Sequence, residues 1–385
     1  MSKYLVKLTP YDKFFFGGET TFGEGENTNY FVKSNYFPQQ TGLLGLVRFQ
    51  LLLQSNNGIF VNNKIQKTKE ATELIGIKSF EIYDHKFSFG KIVGLSPVFI
   101  SDRNNNFLFP ANREYQWIEE EDEKKINNFI FREFDQKEGT ISISSRKNFI
   151  AFLSKYNAKE GLPDLLVNKN LSIKKFYGYE PEKVKDNKPE NGIFIEDEQT
   201  GIRKNYEGNT DEKAFYIQSF YKLDKNYSFA FILELEDNAN FTTRDLVILG
   251  GEQSKFRMEV ENFDDSFEDI KPEYQVSAKS DKVVLVSDAF CTNEIFNDCP
   301  FAVTETIDFR SIKSSVKETS DYSALDRSKK IIEQLCKTAK YNIFKKGSVF
   351  YGEPSKITAH FDKNNALKKI GYNHYKIVKK QEEKS

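Results

Sequence analysis

Basic and hydroxyl side chains stand beside glycines or tight turns at three places in this chain, and each combination suits phosphate oxygens. In LGGEQSKFRMEV, Leu249 to Val260, the pair Gly250 and Gly251 permits a sharp turn and close approach to another backbone, while Ser254, Lys255 and Arg257 supply donors. A helix C-cap followed by an edge strand with solvated basic residues explains the same letters equally well. In FKKGSVFYGE, Phe344 to Glu353, Lys345 and Lys346 precede Gly347 and Ser348. In IRKNYEGNTDEKAFYIQSFYKL, Ile202 to Leu223, Arg203 and Lys204 stand near Tyr206, and Thr210 follows a polar turn. A plain hairpin needs no such basic pair, although pairs of this kind are common on surfaces.

Catalysis has less to stand on. The three histidines, His85, His360 and His374, sit in no HExxH, HxxE or Cys/His ligand spacing. A metal-independent RNA nuclease wants a general base titrating near neutrality, and His374 in GYNHYKI is the best candidate by position. A structural histidine explains it better. Neither GxSxG nor GxxxxGK[ST] occurs, and GGETTFGEGE lacks both the GxGxxG spacing and the helix of a phosphate cradle. Cys291, Cys299 and Cys336 form no CxxC, so neither a disulfide framework nor zinc is expected and the compartment reads as reducing. No catalytic residue, metal or cofactor is assigned.

A chain of 385 residues makes two domains the natural expectation. With 56 Lys and Arg against 57 Asp and Glu it cannot grip nucleic acid by bulk charge, so any RNA contact must come from local clusters. The 36 Phe and 19 Tyr supply possible base-stacking platforms, but most belong to the core. No signal peptide opens the sequence, and the most apolar run, Phe37 to Leu53, is cut by Arg48 short of a span of about 20 residues. The expectation is a soluble cytoplasmic protein with no membrane partner.

These residues must be held by regular elements. YLVKLTP reads as a first strand and Thr41 to Leu53 as a helix, in which Gly42 and Gly45 suggest close approach of another backbone. Lys78 to Tyr83 and Lys91 to Ile100 read as strands, Glu119 to Phe134 as a helix, and Thr140 to Ser144 as a strand. Tyr177 to Gly192 has linker composition. In NYSFAFILEL, Tyr227, Phe229, Phe231, Leu233 and Leu235 alternate as in a strand. Thr242 or Thr243 is expected to cap a helix through Leu249, ended by Gly250 and Gly251. Strands follow at Phe256 to Val260 and Val283 to Val286; Ile331, Ile332, Leu335, Cys336 and Ala339 then form a helical stripe, and Gly347 to Tyr351 a last strand. The order is strand, helix, strand, strand, helix, strand, the split ferredoxin-like unit.

With FPQQTGLLGLVRFQLLL and the N-terminal KYLVKLTPYDKFFFGGETTFGEG, the order of these segments resembles the third subunit of the Cmr module, the RAMP protein of type III-B CRISPR effector complexes. The resemblance implies an α+β fold of two ferredoxin-like (RRM-like, RAMP) modules with insertions, divided here into 1–190 and 191–385. It implies a non-catalytic RNA-binding subunit that caps the complex at the 5′ tag of the guide RNA, beside the large polymerase-like subunit and the backbone RAMP subunit. It places Arg203, Lys204 and Thr210 near the guide, matches Lys345, Lys346, Gly347 and Ser348 to an RNA-facing glycine loop, and adds Lys33 and Ser34. Gly250, Gly251, Ser254, Lys255 and Arg257 lean toward RNA or subunit contact, and phosphate becomes the favoured partner of Arg48. Two departures stand out: QQTGLLGLV replaces a proline- or serine-rich turn, and Glu252 and Gln253 follow the di-glycine. The alternatives are a RAMP-type endoribonuclease with His374 or a tyrosine as base, and a structural adaptor that binds only protein.

Overall fold

Alternating apolar residues make strand β1 (Ser2–Pro10), which buries Leu5, Val6 and Leu8 and stops at a proline that cannot donate to the ladder. This computed structural model describes residues 1–18, 20–22, 30–55, 58–77, 80–83, 87–117, 129–131, 135–136, 151–152, 164–169, 176–178, 192–204, 210–237, 239, 241–274, 276, 281–299, 301–319 and 330–381. Along the chain follow β2 (Tyr30–Lys33), α1 (Gln40–Gln54), β3 (Ile92–Leu95), β4 (Phe99–Asp102), β5 (Phe107–Pro110), β6 (Leu165–Asn168) and β7 (Phe176–Gly178). Then come β8 (Phe194–Lys204), β9 (Thr210–Leu223), β10 (Tyr227–Leu235), β11 (Arg244–Ile248) and β12 (Lys255–Asn262). The last part contains β13 (Lys282–Leu285), α2 (Ile295–Asp298), β14 (Phe301–Val303), β15 (Ile312–Thr319), β16 (Lys330–Lys337), β17 (Val349–Tyr351), α3 (Pro354–Asp362) and β18 (Tyr375–Val378).

The largest sheet has the order β7-β6-β5-β4-β10-β1-β12-β11, with β3 also paired to β10, and so draws strands from both sides of residue 190. β1 lies between β10 and β12, antiparallel to both. The expected alternation in β10 is present, and both faces are buried. Phe229, Phe231, Leu233 and Leu235 join the core that contains the apolar side of α1, while Ala230 and Ile232 pack with Val284, Val349 and Val378 of a second sheet. Burying one such Phe contributes about 1.5–3 kcal/mol, so this central strand anchors both cores.

The helix expected at Thr41 to Leu53 is α1, which buries Leu43, Leu44, Leu46, Val47, Leu51 and Leu52. Its glycines do not admit another backbone among the described residues. A Cβ on Gly42 would lie 3.8 Å from Leu249, one on Gly45 would meet nothing within 4 Å, and Phe49 and Leu53 share their exposed side.

Two expected helices are strands. Thr242 to Leu249 contains β11, where Val247 points inward and Leu246 and Ile248 outward, the period-two alternation that β-branched residues favour. Thr243 caps no helix; its hydroxyl accepts the Val260 N–H at 3.0 Å. The stripe from Ile331 to Cys336 lies in β16, paired antiparallel to β15 from Thr319↔Lys330 to Ile312↔Lys337. In both cases pairing with the neighbouring strand, β12 for β11 and β15 for β16, decides over local periodicity. Phe129–Phe131, inside the third expected helix, is a strand paired to Tyr115–Trp117; the rest of that helix and the strand at Thr140 to Ser144 lie outside the described residues. Lys91 to Ile100 divides into β3 and the start of β4, and the described residues 80–83 form no strand. Tyr177 and Gly178 belong to β7, with 179–191 of the expected linker outside the described residues. Val349–Tyr351 is followed by two further helices and β18.

A strand-helix-strand-strand-helix-strand connectivity does occur, at β13, α2, β14, β17, α3 and β18. Its sheet order is β14-β17-β13-β18 with antiparallel neighbours. The same order recurs as β4-β10-β1-β12, with α1 after its first strand and β11 where a second helix would stand.

Candidate nucleic-acid interface

The di-glycine joins β11 to β12. Gly250 has φ +90°, and a Cβ there would sit 2.5 Å from the Phe15 carbonyl oxygen. The Gly251 N–H donates to that same oxygen at 2.7 Å. The backbone these glycines admit is thus the chain's own. Buried Ser254 fixes the turn, its hydroxyl accepting the Phe15 N–H at 2.9 Å and donating to the Gly251 carbonyl at 2.7 Å. Glu252 and Gln253 are both left-handed, with φ +51° and +50°, and the Ser254 N–H closes the turn on Gly251 at 3.1 Å. This is the hairpin geometry for which Asn-Gly is usual. Lys255 projects into solvent with no side-chain partner among the described residues. Arg257 is half exposed, 3.3 Å from Glu259 and 4.0 Å from Asp245, contacts worth about 1 kcal/mol or less.

The lysine-glycine loop before β17 is tied into the fold. Lys345 Nζ lies 2.7 Å from Asp164 and 3.4 Å from Glu305. Buried Arg113 pairs with the same two carboxylates at 2.9 and 2.7 Å, and its backbone N–H donates to the Gly347 carbonyl at 2.9 Å. Gly347 has φ +82° and presses on this segment, since a Cβ would sit 2.5 Å from the Ala111 carbonyl oxygen. Ser348 is buried and donates to the Lys345 carbonyl at 2.6 Å. The Lys346 N–H donates to Asp288 at 2.9 Å, and its ammonium lies 3.0 Å from the Phe37 ring centroid. Burial pushes that ammonium down to about 7, with Asp288 and Asp164 pulling the other way.

The remaining candidates are scattered. Arg48 donates to the Ser88 carbonyl at 3.2 Å and its guanidinium lies 5.1 Å from the Phe87 centroid; burial lowers it to about 10. Lys33 pairs with Glu196 at 3.1 Å, and Ser34 is buried, accepting the Phe16 N–H at 2.9 Å. Arg203 and Lys204 end β8 and Thr210 begins β9, with Lys204 paired to Thr210. The structure therefore brings Gly250, Gly251, Ser254, Lys255 and Arg257 to one hairpin, and Lys345 to Ser348 to a separate loop.

Near the di-glycine turn lies a feature that the sequence did not disclose. A pocket of about 300 Å³ is lined by the segment Tyr11, Asp12 and Lys13, by Gln199 and Phe220, and by the turn from Glu252 to Lys255. Lys13 Nζ sits 4.9 Å from the Phe220 centroid and 3.3 Å from Asp197. Its walls come from four stretches of chain, and only the one at the di-glycine turn, Glu252 to Lys255, gave a signal in the sequence.

His374, the histidine offered as base in the endoribonuclease alternative, is half-buried. Its Nε2 lies 3.0 Å from the Lys368 carbonyl, which fixes the N–H on that nitrogen, and its ring meets Phe267 edge-on at 5.3 Å. Burial, reinforced by Lys271, lowers its pKa to about 4, so it is a weak base, with its one N–H donating to a carbonyl. Among the described residues no three His, Cys, Asp or Glu side chains gather to hold a metal ion, and no helix is long and apolar enough to cross a membrane.

These features describe a mixed α+β protein of mostly antiparallel sheets, with basic turns at two sheet ends. Residues 6–380 match the CRISPR-associated protein family Cas_Cmr3, and the chain belongs to that family. No curated protein is significantly similar to it in sequence. Among solved structures it is similar to a chain of the Type III-B Cmr-beta complex bound to cognate target RNA, at 15% identity over 98% of this chain and 99% of that one, TM-score 0.45. A chain of the same complex with target RNA and AMPPnP gives 14% over 98% and 99%, TM-score 0.44. One from the Csm3–Csm4 subcomplex of the type III-A interference complex gives 12% over 91% and 93%, TM-score 0.36.

Proposed function

We propose that this chain is a non-catalytic, RNA-binding subunit of a type III-B CRISPR effector, working in the cytoplasm and capping the complex at the 5′ tag of the guide RNA. Its partners in this reading are the large polymerase-like subunit and the backbone RAMP subunit. Membership of the Cas_Cmr3 family over residues 6–380 supports the assignment to the complex. The observation that carries RNA binding is the β11–β12 turn, which offers Lys255 with no side-chain partner among the described residues and Arg257 half exposed on the same strand. A single-stranded tag is held by such local donors and by stacked bases without high net charge. The Arg203 to Thr210 end of the β8–β9 hairpin is proposed to meet the guide as well. Burial holds the pKa of His374 near 4, which makes it a weak base, and this favours the non-catalytic reading over an endoribonuclease that uses His374.

Purification with its genomic neighbours, followed by sequencing and crosslinking of bound RNA, tests the reading. Guides sharing one 5′ tag, with tag crosslinks on this chain, are expected. Bound guides whose tags crosslink only to other subunits would leave the adaptor alternative. Labelled precursor guide RNA should stay intact with and without divalent metal; cleavage abolished by His374→Ala would make the chain a nuclease.

The same reading treats the chain as two ferredoxin-like modules, supported by the two matching sheet orders. Strand pairing favours a division between Asn262 and Lys282 over one at residue 190. Limited proteolysis should cut within that interval to yield stable fragments. Two stable fragments meeting near residue 190 would support the earlier division instead.

A further inference from the structure

We propose that the pocket beside the di-glycine turn holds one splayed nucleobase of a single-stranded RNA, stacked on Tyr11, its edge read by Glu252 and Gln253 and its phosphate met by Lys255. This rests on the RNA reading above and adds to it a subsite with a base preference.

The turn carries strain with a direction. Two adjacent residues with side chains occupy the left-handed region, Glu252 and Gln253, where Asn-Gly would close the hairpin more easily. Such strain persists when the surroundings over-determine it, and it gathers at ligand clamps. Here Ser254 and the Phe15 backbone do the holding, through the bonds at 2.9 and 2.7 Å described above. The result is that Glu252 and Gln253 line the pocket mouth.

Spare bonding capacity converges at the same place. Glu252, Gln253 and Lys255 are exposed and make no side-chain hydrogen bond or ion pair among the described residues. At the other candidate positions Lys33, Arg48 and Lys345 are engaged with Glu196, Ser88, and Asp164 with Glu305.

A ring stands ready beside them. Tyr11 is 59% exposed, yet its hydroxyl donates to the Asp245 carbonyl at 2.5 Å and its backbone N–H to the Lys255 carbonyl at 3.1 Å. A ring already held in place loses little freedom when a base stacks on it. Phe220, under the Lys13 ammonium, also lines the pocket. A volume of about 300 Å³ is at the small end of ligand pockets, room for one nucleotide unit. An ionised Glu252 only accepts hydrogen bonds, so it selects a base with adjacent N–H donors, which is guanine.

The test uses the full chain, alone and copurified with its partners, and short single-stranded RNAs that differ at one position. Wild type is expected to prefer guanine there. Tyr11→Ala should lose roughly tenfold in affinity, and Tyr11→Phe, which keeps the ring but frees it from the Asp245 carbonyl, should lose less. Glu252→Gln should erase the preference, and Lys255→Ala should weaken all four RNAs alike. Thermal melts confirm that each variant is folded. If wild type binds RNA and these variants keep its affinity and preference, the subsite is wrong and the RNA reading stands. RNA bound by neither the chain nor its complex would overturn both, and protection of Tyr11 by a partner protein without RNA would overturn the subsite.

Discussion

Burial holds the His374 imidazole near pKa 4, against an ordinary value of 6.5. Between those values the unfolded chain takes up a proton that the folded chain refuses, so stability falls as pH drops through the window. The loss reaches about 3 kcal/mol below both values. His374→Gln, which keeps an N–H for the Lys368 carbonyl, should flatten the decline in melting temperature between pH 6.5 and pH 4; an unchanged slope would assign it to other groups. Arg48 poses a different question. Its guanidinium is engaged with Ser88 and Phe87, and a hydrogen bond from a charged donor contributes about 1.5–3 kcal/mol. Arg48→Met should lower the denaturant midpoint by a corresponding amount with guide affinity unchanged. Wild-type stability with weakened guide binding would make phosphate the partner.

At the scale of elements, the Lys345 to Ser348 loop serves the fold whatever else it does. Lys345→Ala removes a cation from Asp164 and Glu305 and should cost about 1–3 kcal/mol, read from the denaturant midpoint. If the loop also meets RNA, Lys345→Ala/Lys346→Ala should flatten the salt dependence of guide binding by about one unit or less per lost phosphate contact. An unchanged slope on the assembled complex would leave the loop to the fold alone. The sequence located this loop, β1, α1, β10 and β12 because their signals are local: a proline stop, a long apolar run, strict alternation, glycine beside lysine. It misassigned β11 and β16 because a short apolar stretch satisfies both a helical and an extended period, and what settles the matter is pairing with the neighbouring strand, which lies outside the stretch itself. For the same reason the ionic partners of Lys345 were invisible, since Asp164 and Glu305 come from separate stretches of chain and nothing in their spacing relates them.

Across the whole molecule, a buried ion pair ties the second sheet to the turn that follows β5. Lys282 on β13 lies 2.9 and 2.7 Å from the two oxygens of Glu114, which also takes bonds from Asn112 and the Tyr351 hydroxyl, and both charged side chains are fully buried. Lys282→Met leaves a carboxylate stranded in the core and should cost about 3–5 kcal/mol in denaturant unfolding; a loss below about 1 kcal/mol would mean that water reaches the site. The position of β1 in the centre of the largest sheet has a consequence for biosynthesis. Both of its neighbours, ending at Leu235 and Asn262, are translated long after Pro10. At about 5–20 residues per second, a nascent chain carries an apolar strand without its mates for tens of seconds. Over that interval the first ten residues are a natural target for a ribosome-associated chaperone, and the sheet closes only when β12 clears the exit tunnel.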